Sequence, residues 1–541
     1  MSSNAKYKES TSNLKIVRKK KIGVIGAGVS GLSAAKAFSK QGHIVTGFER
    51  SSEIGGVWAS YRSYPEVITQ SSKDLYRYTD YEMPDSYPQW PNANQVKDYL
   101  EGYAEKHDLK KLYHFQTSVI AIKDRIDGKR GWTLVLSKKI ANDPECRQAS
   151  KVYEIDFDFI VISTGTFNNP KRVTHAGQNE YIRAGGQIVH SSEYKNISDN
   201  LKSKRLIVIG GSKSATDIAV NAARNGAQQV YLVFRRNVWR LPYFLGCLNT
   251  KHFFMRFQEM QLKSWQTKQP RNFVISIIAG TFSLLWNAIL FFYFRLFEAF
   301  LIYQQSLSKW GMVPIDRIED VTTCSLLPVV TEGLLECFQN GKIIPVHSTL
   351  KSYQVMKEGS DGAKNEALNA TLSNGDTLEQ IDIVIQATGW TINIPNLPIK
   401  YQKSLIDEKD GLYKLYRFAV NPNIPELGFV GFNSSFCTVL SSELIANWMV
   451  RYSDNMLLRQ PSFEEMENEI DRMNEWKRKE KPAMKVHDGN CIAPFHYLHF
   501  EELLEDMGGS VGYNCETVFG FPDADKFGDR LDGLVKYETF A

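Results

Sequence analysis

The chain has 541 residues, 43% of them hydrophobic and 23% charged, so it is neither fibrous nor disordered and has apolar mass for more than one core. Lys and Arg number 65 against 60 Asp and Glu, and a net charge of +5 over this length is too small to support a nucleic-acid partner. Seven scattered cysteines, Cys146, Cys247, Cys324, Cys337, Cys437, Cys491 and Cys515, form no CxxC pair and no metal-ligand spacing, which fits a reducing compartment and supplies no metal site. Residues 1–20 are polar and basic with no apolar core, so no secretory signal is read and a cytoplasmic protein is expected.

The basic run Arg18 to Lys21 reads as a solvated strand entrance. Lys21 to Arg50 then reads as strand, Gly-rich turn, helix and strand, with the turn Gly26-Ala27-Gly28-Val29-Ser30-Gly31. Gly26 makes the tight turn, Gly28 lets the backbone approach a pyrophosphate, and Gly31 lets the helix pack close to the strand. The pyrophosphate would sit on the unpaired N–H groups of the helix N-terminus. Glu49, just past the second strand, would accept hydrogen bonds from an adenosine ribose and repel a 2′-phosphate, so this unit is expected to bind FAD.

A second unit starts at Arg205, with strand Leu206 to Ile209, turn Gly210-Gly211-Ser212-Lys213-Ser214-Ala215, a helix from Thr216 to Asn225, and strand Val230 to Phe234. Ser212 and Ala215 stand where the second and third glycines would be, and both are small. Arg235 and Arg236 replace the ribose acid. A guanidinium fork grips a 2′-phosphate bidentately, so this copy is expected to select NADPH, with Lys213 adding a point charge.

Phe159 to Thr166 and Ile383 to Trp390 match one another, each a buried strand ending in a small-residue turn, the latter at Thr388 and Gly389. The chain is therefore expected to cross from one domain to the other and back. Residues 20–166 and 391–541 would form an FAD-binding domain, and 167–390 an NADPH-binding domain inserted in it. The fold class is α/β with two Rossmann-like dinucleotide-binding domains.

The second domain carries an apolar insert at about 240–325. Asn272 to Phe294 contains no charged residue and is long enough to span a bilayer. Lys263, Lys268, Arg271 and Arg295 flank it, and Trp286 and Tyr293 are interfacial types. A single crossing would place the strands Leu206 to Ile209 and Ile383 to Ala387 of one sheet on opposite sides, so a single span is not expected. In-plane docking on a membrane and a buried or homodimer-interface helix remain as equal expectations. Farther on, Leu427 to Asn433 reads as a closing strand and turn, and Glu464 to Lys481 as a solvated helical face.

Along nearly its whole length the sequence resembles the flavin-containing monooxygenases. The segment Ala184-Gly185-Gly186-Gln187-Ile188-Val189-His190-Ser191-Ser192-Glu193-Tyr194 looks like that family's FxGxxxHxxx(F/Y) signature, with Ala184 in place of Phe. A terminal Trp would have pointed to Baeyer-Villiger monooxygenases, whereas this chain has Tyr194. The resemblance implies that His190 links domains, that Gly56, Val57 and Trp58 contact the flavin, and that Thr69, Gln70 and Ser71 run past its ring. Gln70 takes the place of the family's usual Asn and would hydrogen-bond the flavin adduct. Thr69, Gln70, Ser214, Ala215, Thr216 and Asp217 would hold retained NADP+ over the flavin, and Gly431 would let backbone approach its ring.

The implied activity is an NADPH- and O2-dependent oxygenation of a small soft nucleophile through a C4a-hydroperoxyflavin, in which the cofactors carry the chemistry. Baeyer-Villiger oxygenation, an NADPH oxidase releasing H2O2, and a non-catalytic FAD-binding redox sensor are the competing readings. Location on the cytosolic face of a membrane such as the endoplasmic reticulum is also implied.

Overall fold

Two apolar strands, each feeding a glycine turn, seed two separate parallel sheets. The computed structural model describes residues 18–139, 150–245, 248–249, 259, 273–321, 328–358, 365–394, 396–433, 435–480, 490–493, 495–509, 527 and 531. In the first sheet the spatial order is Leu427–Phe429, Phe159–Ile162, Lys21–Ile25, Ile44–Phe48, Tyr113–His114, all parallel. In the second it is Gln187–His190, Ile383–Gln386, Arg205–Ile209, Gln229–Phe234, Ile343–His347, again all parallel.

The two matching segments of the sequence thus hold equivalent places, each beside the strand that precedes a glycine turn. Both are buried at every strand residue, as strands covered on both faces must be. In each sheet the connections reverse direction between these two strands, which opens a crevice at their carboxyl ends.

Each sheet is sandwiched in the same way. The helices Val29–Lys40 and Thr438–Ser453 pack together over one face of the first sheet. Its other face meets Trp132, Leu134, Leu136 and Phe157 of an antiparallel three-stranded sheet, Thr117–Asp124, Trp132–Lys139 and Ser150–Phe157. The second sheet carries the helix Lys213–Arg224 on one face. On the other, Ile207, Val233 and Val384 meet Tyr353, Ala370 and Leu372 of another antiparallel trio. Fully burying each such Ile, Val or Leu side chain stabilises by about 1.5–3 kcal/mol.

The two crossings between the modules lie side by side, with Asn169–Pro170 pairing antiparallel with Trp390–Thr391. The Trp390 ring is held between the Arg62 guanidinium, 5.1 Å from its centroid, and the His190 ring, also at 5.1 Å.

Within the insert, one helix runs Phe273–Gln304, farther than the uncharged stretch that ends at Phe294. Arg295 lies within it, its guanidinium paired with Glu298 at 2.6 Å and with Glu319, and Leu301 is seated in the core of the second module. The section Trp286–Gln304 is long and apolar enough to cross a membrane by length and composition, and little of it is buried. Phe292 is 64% exposed, Leu296 72% and Tyr303 85%. Parallel pairing of Arg205–Ile209 with Ile383–Gln386 closes one sheet across the insert. Asn272, Lys263, Lys268 and Arg271 lie outside the described residues, as do Cys146, Cys247, Cys324 and Cys515. Cys337, Cys437 and Cys491 are buried and form no disulfide among the described residues.

Candidate functional site

Gly26 has φ +109°, and a Cβ there would lie 2.6 Å from the Ser163 carbonyl oxygen, so only glycine closes the first turn against the neighbouring strand. Gly28 precedes the helix beginning Val29-Ser30-Gly31, whose N-terminus has no side-chain cap. The segment Gly55 to Trp58 is seated on this turn. The Gly55 N–H donates to Ala27 O at 3.1 Å, and a Cβ on Gly56 would be 3.1 Å from the Gly28 Cα.

Glu49 is buried at the end of the second strand, where its carboxylate accepts the Ala27 N–H and the Ser51 N–H, both at 2.9 Å. It therefore holds the middle of the turn in shape. The side chains of Thr69, Ser72 and Ser163 bring buried hydroxyls with no partner among the described residues, the kind of orphaned donor that a polar ligand satisfies. These features fit a dinucleotide.

Other members of the set are engaged within the protein. The Ser30 hydroxyl lies 2.9 Å from that of Ser442, Val29 O accepts from Tyr78 OH at 3.0 Å, and Ser71 Oγ donates to Phe436 O at 2.6 Å. Trp58 Nε1 donates to Tyr76 OH at 2.7 Å, while Val57 is exposed. At Gly431 a Cβ would meet Ser30 Oγ at 2.1 Å, so close packing on the helix accounts for this glycine.

The second turn repeats the first. Gly210 has φ +144°, and a Cβ would lie 2.4 Å from Ala387 O. Ser212 stands at the N-cap position of the helix Lys213–Arg224 without a side-chain cap bond, at φ −97°, an ordinary conformation in which a side chain adds no backbone strain, and Ala215 is buried in the first turn beside half-buried Ser214. Lys213, read as a point charge for a phosphate, is paired along its own helix, with Nζ 2.8 Å from Asp217 Oδ1.

Asp217 is the centre of a buried network. It accepts from Thr331 Oγ1 at 2.5 Å and from Tyr64 OH at 3.0 Å, and the Thr216 and Thr331 hydroxyls lie 2.7 Å apart. Burial, followed by the Asp217 charge, raises the Tyr64 hydroxyl well above its usual range, so it donates as a neutral phenol. Arg236 is paired with Asp316 at 2.7 Å, whereas Arg235 is exposed and has no side-chain partner among the described residues.

Thr388 donates to Lys171 O, and Gly389 O accepts from His190 Nε2 at 3.0 Å. His190 thereby ties a strand end to the crossing. Its pKa is lowered, chiefly by burial, which keeps the ring neutral.

The modules meet at Gln70. Its Oε1 accepts the Val329 N–H at 3.3 Å, and its NH2 group has no protein acceptor among the described residues. Gln70 and Tyr64, from one loop of the first module, thus reach the segment carrying Val329 and Thr331 over the second turn. Sequence reading missed Tyr64, Val329 and Thr331, which sit in no motif and are brought together across more than 100 residues. Among the described residues no cluster of His, Cys, Asp or Glu could hold a metal ion.

Two glycine turns on two parallel sheets, with Gln70 and Tyr64 of the first module reaching the second turn, agree with the comparison to protein-family models: residues 19–268 and 356–509 match the flavin-binding monooxygenase-like family. The chain belongs to that family. It is 27% identical over 521 residues to a probable flavin-containing monooxygenase 1 of Arabidopsis thaliana, covering 92% of this chain and 93% of that one. To dimethylaniline monooxygenase (N-oxide-forming) 2 of Oryctolagus cuniculus it is 28% identical, covering 84% and 77%.

Among solved structures, OTEMO in an FAD-bound form superposes with TM-score 0.60 at 18% identity, covering 87% of this chain and 91% of that one. S-allyl-L-cysteine S-oxygenase from Allium sativum gives 0.56 at 17%, covering 91% and 90%. Both support the fold of two dinucleotide-binding modules. This flavin-binding monooxygenase is accordingly an enzyme.

Proposed function

We propose that this monooxygenase uses FAD, NADPH and O2 to N- or S-oxygenate a small organic nucleophile through a C4a-hydroperoxyflavin. FAD occupies the first turn, where the Glu49 carboxylate suits a ribose hydroxyl and disfavours a 2′-phosphate. NADPH occupies the second, where Arg235 is free to meet that phosphate. Residues 20–166 and 391–541 serve as the FAD domain, and 167–390 as the NADPH domain. The observation carrying the proposal is that Gln70 and Tyr64 leave the first module and contact the wall of the second turn.

When bound, the flavin supplies hydride acceptance and oxygen activation, while the chain positions and shields. Gln70 presents its NH2 at the junction, Thr69 offers a buried hydroxyl, and the network of Thr216, Asp217 and Thr331 fixes the rim of the second turn. Ser71, Trp58 and Gly389 hold the surrounding loops through backbone and side-chain bonds. Similarity to an N-oxide-forming dimethylaniline monooxygenase and to an S-oxygenase favours nitrogen and sulfur substrates. The exposed face of the section Trp286–Gln304 docks in the plane of a cytosolic membrane face such as the endoplasmic reticulum, with a homodimer contact as the competing use of that surface.

The test is product stoichiometry. Purified protein should be yellow, be bleached by NADPH, and convert a tertiary amine or thioether to its N- or S-oxide at nearly one product per NADPH. Lactone or ester formation from a ketone, or H2O2 at one per NADPH, would replace the oxygenation chemistry. A flavin that NADPH cannot reduce would defeat the enzyme reading.

A further inference from the structure

Arg240 lies beneath the second turn, next to the bridge that joins Leu241 to Val329. It is only 3% exposed. Its guanidinium donates to two backbone carbonyls, Gly211 O at 2.7 Å and Val238 O at 3.4 Å, and its Nε has no acceptor. Its own carbonyl is held by Gln305 Nε2 at 2.8 Å. Burial lowers its pKa to about 10, which still leaves it charged at neutral pH.

No carboxylate pairs with it among the described residues, and the insert segments 246–258, 260–272 and 322–327 contain no Asp or Glu. The neighbouring cations are accounted for: Lys213 by Asp217, Arg236 by Asp316 and Arg224 by Glu66, while Arg235 is in solvent. A buried charge balanced only by carbonyl dipoles is strongly unfavourable unless an anion arrives to complete the site.

Its position indicates which anion. The Gly211 carbonyl that Arg240 grips belongs to a residue lying against the end of strand Gln229–Phe234, since a Cβ there would meet Arg236 O at 2.9 Å and Phe234 Cβ at 3.3 Å. In a unit of this kind the ribose 2′ position is read at that strand end. We propose that Arg240 is a buried counter-charge for the 2′-phosphate of the dinucleotide on the second turn, set beneath the backbone while Arg235 meets it from solvent. This rests on the assignment of NADPH to that turn.

The experiment measures binding of 2′,5′-ADP and of 5′-ADP to FAD-loaded protein by calorimetry, in the wild type, Arg240→Met and Arg240→Lys. Arg240→Met should weaken 2′,5′-ADP by about tenfold, the scale of a lost charge–charge attraction acting through the backbone, and leave 5′-ADP nearly unchanged. Arg240→Lys should retain most of the preference. Equal weakening of both ligands, or unchanged 2′,5′-ADP binding, overturns the proposal. If Arg240→Met does not load FAD, Arg240→Gln, which still donates to Gly211 O, must show the same selective loss. A wild type that binds the two ligands equally would instead remove NADPH from the second turn, a distinct failure.

Discussion

Glu49→Gln changes one oxygen to NH2 in a buried group that accepts two backbone N–H bonds. The carboxamide can accept only one of them, so its NH2 must oppose the other donor, from Ala27 or Ser51. One charge-assisted bond is lost and one buried N–H is left unpaired, at a cost of about 1.5–3 kcal/mol. Ala27 is the middle residue of the first turn, so the cost falls on the conformation that meets the dinucleotide. Expressed in binding, it corresponds to a rise in the FAD dissociation constant of roughly 10- to 100-fold. Apoprotein would be titrated with FAD and followed by quenching of flavin fluorescence, with circular dichroism checking that both proteins are folded. Glu49→Asp, which keeps the charge but withdraws it by one methylene, should fall between. Unchanged affinity in Glu49→Gln would show that the carboxylate neither shapes the turn nor meets the ribose.

Gln70→Ala should raise NADPH-driven H2O2 release and shorten the lifetime of the oxygenated flavin in stopped-flow absorbance; an unchanged lifetime removes Gln70 from that role. The doubly substituted Phe292→Asp, Leu296→Asp protein should lose sedimentation with anionic lipid vesicles while keeping its FAD, and loss of a dimer instead would assign the helix to self-association. Gly431→Ala places a Cβ 2.1 Å from Ser30 Oγ at φ +87°, and should lower the thermal midpoint of the holoenzyme measurably, whereas Gly375→Ala, also at positive φ but with nothing near its Cβ, should do less harm. His499 is fully buried, and burial, followed by the charges of Arg417 and His496, lowers its pKa to about 3. Because the unfolded chain takes up the proton near pH 6.5 and the folded one does not, stability falls as pH drops from there toward 3, by up to about 1.4 kcal/mol per unit. His499→Gln should therefore flatten the decline in thermal midpoint between pH 6.5 and 5; an unaltered slope counts against a neutral buried ring.

Both turns were legible because Gly26 and Gly210 answer to a constraint written in one residue, a backbone that allows no Cβ beside the next strand. The paired strands Phe159–Ile162 and Ile383–Gln386 were legible for a similar reason, as apolar runs buried on two faces. Charges were harder to read. Lys213 looks like a phosphate ligand in the string of letters, yet an acid one helical turn away neutralises it. Arg240 stands in the run Val238-Trp239-Arg240-Leu241, where a lone basic residue looks incidental, and its significance depends on which carbonyls it meets and which carboxylates it lacks. Tyr64 and Thr331 carry no local signal because their meeting point, Asp217, belongs to a different module from Tyr64 and lies far along the chain from both.

The side-by-side crossings at Asn169–Pro170 and Trp390–Thr391 also govern how the halves of the molecule can move. Two strands zipped together act as a ribbon: it flexes across its flat face, while hydrogen bonds and the clamped indole of Trp390 oppose sliding of one strand past the other. Any tilt of the second module against the first must bend this ribbon and also break the Gln70–Val329 and Tyr64–Asp217 bonds. The two halves are thus coupled at two separated places, so a change at one nucleotide cradle is passed to the other through backbone pairing as well as through side chains.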